Sequence, residues 1–344
     1  MREHIHHHKN LMRKKRRKFF PLLFLAMLLL GAFVVLYKKY GNVFTSTPIV
    51  STTTPTIKPT PKPPPLPPSS SPVGKTPTEL SEPYITIRPE KVLPGEPALI
   101  IVTGLLSTSS VKSFTFDNRP LVIFQHEGEV VALLGVDLQA KAGAFPLVVT
   151  LNNGKKIFGT MEIQPRPLVA RPFDIPEKLG GNSLESQKEL ISSLAKEGKM
   201  INALPTVYKK LWTEKFVSPL KKKIVIEDPY GYTRIFSNSS MPHKGTDFEA
   251  KMGTSIYSMN RGTVVYTGDL RNYGKTIVID HGFGLQTVYM HLSSTSVIVG
   301  KEVEKGEFIG LTGDTGYVLG PHLHLTVRIW DISIDPVKFL ELFG

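Results

Sequence analysis

The sequence predicts an all-β fold in two parts, a C-terminal antiparallel β-sheet domain preceded by an Ig-like β-sandwich. Two patterns carry that reading. Seven short runs rich in β-branched and aromatic residues (84–88, 98–103, 111–116, 121–124, 130–136, 145–151 and 157–163) recur at roughly ten-residue intervals, separated by turn sequences such as PGE, DNRP, HEGE and NNGK. From Lys223 onward strand-like runs resume with a glycine at almost every turn, as in NRGTVVYTG and NYGKTIVIDHG. No amphipathic helical stretch separates them, which argues against parallel βα units. The 344 residues are 41% hydrophobic and 21% charged, enough for two packed units plus extensions and incompatible with global disorder or a polytopic membrane protein.

In chain order, residues 1–18 form a basic tail and 19–37 an uncharged apolar run of 19 residues. As a helix this run spans roughly 28 Å, close to a hydrocarbon core of about 30 Å. Six consecutive cations at 13–18 precede it and only Lys38 and Lys39 follow. The positive-inside rule then leaves the N-terminus cytoplasmic and exports the remainder. A cleaved signal peptide is the alternative, but YKKYGNVF offers no small-residue cleavage site. The net charge of +13 does not indicate a nucleic-acid partner, because residues 1–40 hold ten Lys/Arg against Glu3 alone. His4, His6, His7 and His8 read as a solvated run within the same tail.

Residues 38–83 are a Pro/Thr/Ser-rich linker; twelve of the 28 prolines fall between 45 and 83, so the segment favours extended polyproline II over a packed core. An SH3-type ligand is the sharper alternative, disfavoured by the exported location. The Ig-like domain, 84–165, shows no catalytic constellation, and His126 in its HEGE turn reads as a surface residue. A bridging segment, 166–215, has helical periodicity over 184–197 through Leu184, Leu190, Ile191 and Leu194, with Asn182 and Glu185 as a capping pair. Packing is the expected role of that helix.

The absence of cysteine excludes a disulfide scaffold, a thiol nucleophile and any thiolate metal site, so a metal would have to sit on His, Asp or Glu. The final domain, 216–344, holds His243, His281, His291, His322 and His324. In HLHLTV, His322 and His324 are two apart on a strand and share one face. In HKGTD, His243 and Asp247 are four apart across a glycine-containing loop and are able to converge on one ion. His291 follows TVYM at a strand end. Zinc suits such a set, since catalytic zinc takes three protein ligands and keeps a fourth position open. Either motif alone is commonly structural; their coexistence in a cysteine-free chain is what favours a site.

The motifs HKGTDFEA, IDHGFGLQTVYMHLS, VEKGEFIGLTGDTGYVLGPHLHLTV and IDPVKFL, in that order, closely resemble the LytM/lysostaphin-like zinc metallopeptidases. The resemblance runs from about Phe216 to the C-terminus. It implies one zinc ion held by His243, Asp247 and His324, with His291 and His322 as non-ligand catalytic histidines. It also implies a structural role for Tyr232 and Arg234 in the first strand, and His281 is read as a hydrogen-bonded strand-end residue. Two departures stand out: Thr326 replaces an acid and Met259 replaces a small residue or proline. Neither is expected to touch the ligand set, although Met259 is expected to alter the groove floor.

The implied reaction is zinc-dependent hydrolysis of a peptide bond in peptidoglycan stems or cross-links. One neutral imidazole would take the proton of the attacking water and the other would donate to the oxyanion. The implied setting is a bacterial cytoplasmic (inner) membrane, single-pass, with the C-terminal domains on the periplasmic or cell-wall side and divisome or wall-hydrolase proteins as partners. Oligomeric state leaves no sequence signal. A non-enzymatic regulator of another wall hydrolase and a structural wall-binding protein are the rival classes; the complete ligand set weighs against the first. Residues 84–220 have enough mass to cover the catalytic groove, so restraint of the enzyme by its own upstream region is a further expectation.

Overall fold

The computed structural model describes residues 82–172, 175, 177, 180–235 and 240–344, and its first eight strands lie between 84 and 163. They are β1 (Tyr84–Arg88), β2 (Pro97–Thr103), β3 (Val111–Phe116), β4 (Arg119–Pro120), β5 (Ile123–His126), β6 (Glu129–Gly135), β7 (Gly143–Leu151) and β8 (Lys156–Ile163). Two four-stranded antiparallel sheets result, ordered β1-β2-β6-β5 and β4-β3-β7-β8. Ala98, Ile100, Val130 and Ala132 of the first sheet meet Phe114, Leu147, Val149 and Met161 of the second in one apolar core. One run expected at 121–124 is displaced to Ile123–His126, and the two-residue strand β4 had no signature of its own. The tail and membrane helix expected over 1–37 lie outside the described residues. Among the described residues no helix is long and apolar enough to cross a membrane.

The outer face of the first sheet is covered along its central strands β2 and β6. On β2 and β6, Leu99, Ile101, Val131 and Leu133 point away from the sandwich core and join Trp212, Phe216, Leu285, Phe339 and Phe343 in a second core. Strands buried on both faces lose polar alternation, which is why PALIIVT and VVALLG read as continuous apolar runs. His126, expected at the surface, is half-buried at this junction, its ring 6.4 Å from Trp212 and 5.9 Å from Phe343. Arg166 also ties the parts together, donating to the Pro94 carbonyl at 2.9 Å and the Tyr230 carbonyl at 3.0 Å.

The bridging segment contributes β9 (Ala170–Pro172) and a helix, α1 (Leu184–Asn202), five residues longer than its apolar periodicity indicated. Its N-cap is Ser183, whose hydroxyl accepts from the Ser186 amide at 3.1 Å, rather than Asn182. The Asn182 side chain instead accepts from the Ile175 amide.

Short strands β10 (Ile226–Asp228), β11 (Thr233–Ile235), β12 (Ser240–Pro242), β13 (Thr246–Glu249) and β14 (Ser255–Tyr257) follow. Longer ones come next: β15 (Gly262–Leu270), β16 (Gly274–Gly282), β17 (Leu285–Thr295), β18 (Glu302–Val303), β19 (Phe308–Thr312), β20 (His322–Ile329) and β21 (Ile332–Ile334). The chain ends in α2 (Pro336–Phe343), capped by Asp335 accepting from the Val337 amide at 2.9 Å. The main sheet runs β10-β13-β20-β17-β16-β15-β18, with each of these pairings antiparallel, as expected. β20 shows how the sheet divides its faces. Leu323, Leu325, Val327 and Ile329 enter the core, and the alternate residues His322, His324, Thr326 and Arg328 face a groove.

Candidate metal centre and groove

Register between neighbouring strands brings the distant motifs together. Asp247 on β13 lies opposite His324 on β20, and His324 lies opposite Met290 on β17, one residue before His291. His243 follows β12, where its amide donates to the Tyr232 carbonyl at 2.8 Å. The loop between His243 and Asp247 must pass close beneath the site: a Cβ at Gly245 would collide with His324 Nε2, so a residue without a side chain is required.

His243, Asp247 and His324 offer one ligand atom each within 4.8 Å of one another. His243 Nε2 is 3.2 Å from His324 Nδ1 and 3.3 Å from Asp247 Oδ1, and His324 Nδ1 is 2.6 Å from that oxygen. Ligand atoms on a tetrahedral zinc lie about 3.3–3.4 Å apart, so two of the three separations already match. The third follows from hydrogen bonding around His324. The Thr326 hydroxyl donates to the Lys244 carbonyl at 3.2 Å and therefore accepts from His324 Nε2–H at 3.1 Å. That leaves Nδ1 with its lone pair toward the carboxylate, and two acceptors so close need a proton or a cation between them. On His243, Nδ1–H donates to the Pro229 carbonyl at 3.0 Å and directs Nε2 at the same point. The donor set fits a zinc ion.

Burial alone would raise the Asp247 carboxyl, but His324 and His243 beside it hold its pKa well below the usual range. Burial depresses His324 despite the carboxylate, favouring the neutral ligand form. The second carboxylate oxygen of Asp247 faces Arg234 Nη2 at 3.5 Å. Arg234 Nε donates to the Tyr232 hydroxyl at 2.7 Å, and that hydroxyl donates to Asp228 at 2.9 Å. Arg234 on β11 and Tyr232 just before it thus fix the orientation of the Asp247 carboxylate.

His291 and His322 stand beside the triad, their ring centroids 5.1 Å apart. His322 Nδ1 meets the Gly320 carbonyl at 3.0 Å, and its Nε2 is 3.7 Å from Asp247 Oδ1. His291 has φ +61° and sits where two residues of β17, Met290 and His291, oppose Thr276 of β16, a bulge that turns the side chain into the groove. Its Nδ1–H donates to the Thr315 carbonyl at 2.9 Å. Burial first, and then the neighbouring histidines, push its pKa well below 6.5. His281 is remote from these rings: fully buried, it donates through Nδ1 to the Arg261 carbonyl and accepts from Thr287.

Both departures from the family pattern behave differently from expectation. Thr326 does touch the ligand set, through His324. Met259 does not shape the groove floor; it is fully buried in the core shared with the sandwich. Period-two alternation after HLH was the available signal for Thr326, which shares the face of both histidines.

The groove is a cavity of 730 Å³ floored by β20 and walled by α1. Leu190 and Leu194 of α1 pack with Met241, next to the ligand strand, and with Tyr317, in the loop before His322. The element lying over the metal centre is therefore this helix, not the sandwich, whose outer sheet is engaged by the core on the other side. Glu197 anchors the helix by accepting from the Asn272 and Tyr273 amides at 3.0 and 3.2 Å. Asn272 and Tyr317 also line the cavity, and their side chains leave polar atoms without a partner.

Residues 241–336 match the model of Peptidase family M23. The chain is 41% identical over 97 residues to the peptidoglycan DD-endopeptidase ShyA of Vibrio cholerae, covering 28% of this chain and 23% of that protein. It is 36% identical over 114 residues to the DD-carboxypeptidase/endopeptidase Mpg of Neisseria meningitidis, covering 33% and 26%. The match thus spans about a quarter of these relatives' length. A peptidase M23 crystal structure from Pseudomonas aeruginosa superimposes with a TM-score of 0.54 at 25% identity, covering 73% of this chain and 96% of that one. Residues 241–336 thus form a peptidase domain of the M23 type.

Proposed function

We propose that this chain is a membrane-anchored endopeptidase that hydrolyses peptide bonds in peptidoglycan stems or cross-links during wall remodelling. The observation that carries the reading is the convergence of His243, Asp247 and His324 with two further imidazoles on the lining of one groove. Relatives named for DD-endopeptidase activity support the substrate class. The regulator alternative loses its ground, since a binding-only protein has no use for a complete, oriented ligand set.

His243, Asp247 and His324 hold the zinc, which when bound supplies Lewis-acid polarisation of the scissile carbonyl. His291 is neutral at working pH because burial disfavours its charged form, and its Nδ1–H is occupied by Thr315; Nε2 is left to take a proton from an attacking water. His322, tethered through Nδ1 to Gly320, lies across the same space, 3.7 Å from the carboxylate. The proton that His291 takes is returned to the leaving amine, and His322 faces the same space as the candidate partner of the oxyanion. Glycine-bordered groove edges admit an extended peptide with small side chains. We read the sandwich as Ig-like in general plan, and the apolar run 19–37 as the anchor that holds the domains on the periplasmic or wall side.

Purified peptidoglycan offered to the zinc-loaded chain tests the activity: release of peptide fragments, abolished by chelation, is the expected result. Protease added to intact spheroplasts tests the topology. Digestion of everything beyond Tyr40 is expected, and protection of the C-terminal domain would overturn both the orientation and the substrate.

A further inference from the structure

The groove floor carries a cation that the chemistry above does not use. Arg328 follows His322, His324 and Thr326 on the same face of β20, four residues beyond the last ligand, roughly 13 Å along an extended strand. Its side chain is 2% exposed yet lines the cavity. Nη2 donates to the Trp330 carbonyl at 3.1 Å, and Nη1 has no hydrogen-bond partner. No carboxylate lies within salt-bridge distance among the described residues; the nearby Asp331 is exposed. A guanidinium is retained in such a place at a cost unless an anion arrives to meet it.

Resting on the peptidase reading, we propose that Arg328 is a specificity-determining residue that binds a free carboxylate of the substrate peptide about four residues from the scissile bond. The spacing suits an extended peptide lying antiparallel or parallel to β20, whose rise per residue matches that of the strand. Stem peptides carry free carboxylates on D-glutamate and at their C-termini, and a planar guanidinium with an open edge is the donor best matched to such a group. Conversion of those carboxylates to amides would remove the charge while preserving the shape. The groove would therefore sort substrates by amidation.

The test compares two synthetic cross-linked stem peptides, free-acid and amidated, on the full zinc-loaded chain and on R328Q and R328K. Wild type is expected to show kcat/KM at least 10-fold higher on the free acid. R328Q should lose roughly 10–100-fold on the free acid and nothing on the amide, with R328K between them and zinc content unchanged. Equal loss on both peptides would make Arg328 merely structural and overturn the proposal; so would a wild type indifferent to amidation, which needs no variant to fold. If neither peptide is cut, the peptidase reading fails on its own, and calorimetry of the same two peptides decides the arginine. Free-acid binding at least 10-fold tighter than the amide supports it, and equal binding overturns it.

Discussion

The Thr326 hydroxyl accepts the Nε2 proton of His324 at 3.1 Å while donating its own to the Lys244 carbonyl, and so dictates which nitrogen of a metal ligand is free. A residue that reads as a departure from the family pattern is thereby part of the metal centre. T326V should weaken zinc binding by roughly 10–100-fold, measured by chelator competition, with kcat largely recovered at saturating zinc. Unchanged affinity would mean that the tautomer is set elsewhere.

The two members of the HLH pair should separate by metal content. H324A is expected to lose zinc and activity together. H322A and H291A should retain zinc while turnover falls roughly 10²–10⁴-fold. Metal analysis beside rates decides it, and zinc loss in H322A with retention in H324A would reverse the assignment.

Helix α1 should act as a lid. Leu190 is buried and packs with Met241 and Tyr317 across the groove. L190A removes contacts that stabilise the docked helix by about 2–5 kcal/mol, so turnover of polymeric peptidoglycan should rise several-fold. An equal or lower rate with an intact fold would remove the idea of restraint. Isolating residues 216–344 is a poor substitute, because it would strip Leu99, Ile101 and Leu133 from a shared core.

That shared core predicts one cooperative transition. Phe124 stacks on Phe283 at 4.7 Å and packs edge-on against Trp212 at 5.5 Å. F124A should cost about 3–5 kcal/mol and lower a single melting transition. Two separate transitions in calorimetry would show the sandwich to be independent.

Stability should fall in acid for a reason that does not involve the metal. Burial lowers His281 from 6.5 to about 4. Between those values the unfolded chain binds a proton that the folded chain refuses, so stability rises with pH across the window and is lost as pH falls through it. The full shift corresponds to about 3 kcal/mol. Asp247, held low, adds to the loss below about pH 4, its contribution being present only above the ordinary carboxylate value. Melting temperatures of the metal-free chain from pH 7.5 to 4 should drop steeply, and H281Q should flatten the curve. Parallel curves would discard the account.

Much of this was written in short-range patterns. Alternation in HLHLTVRI separates a groove face from a core face because a strand repeats every two residues, and the strand intervals over 84–163 follow from turn chemistry. The spacing of HKGTD and HLH, with the resemblance those motifs carry, pointed to His243, Asp247 and His324, whose ligand atoms the fold brings within 4.8 Å of one another. Arg328 lay in the same alternating register, but nothing local said that it would be buried without a partner.

What only the tertiary structure decided concerns contacts between segments far apart in the chain. Leu99 and Ile101 look like interior residues of one sandwich, and it is the packing of Trp212 and Phe343 beneath them that makes the strand buried on both sides. His291 reaches the groove because a bulge sets its φ at +61°, which pairing with β16 imposes and local propensity opposes. Helix α1 has an amphipathic pattern that fits any apolar surface. That its partner surface is the rim of the metal centre depends on where Met241 and Tyr317 are brought together, roughly 75 residues apart in sequence. Periodicity is a property of neighbouring residues and is legible in one dimension; the choice of partner is settled by the summed burial of the whole chain.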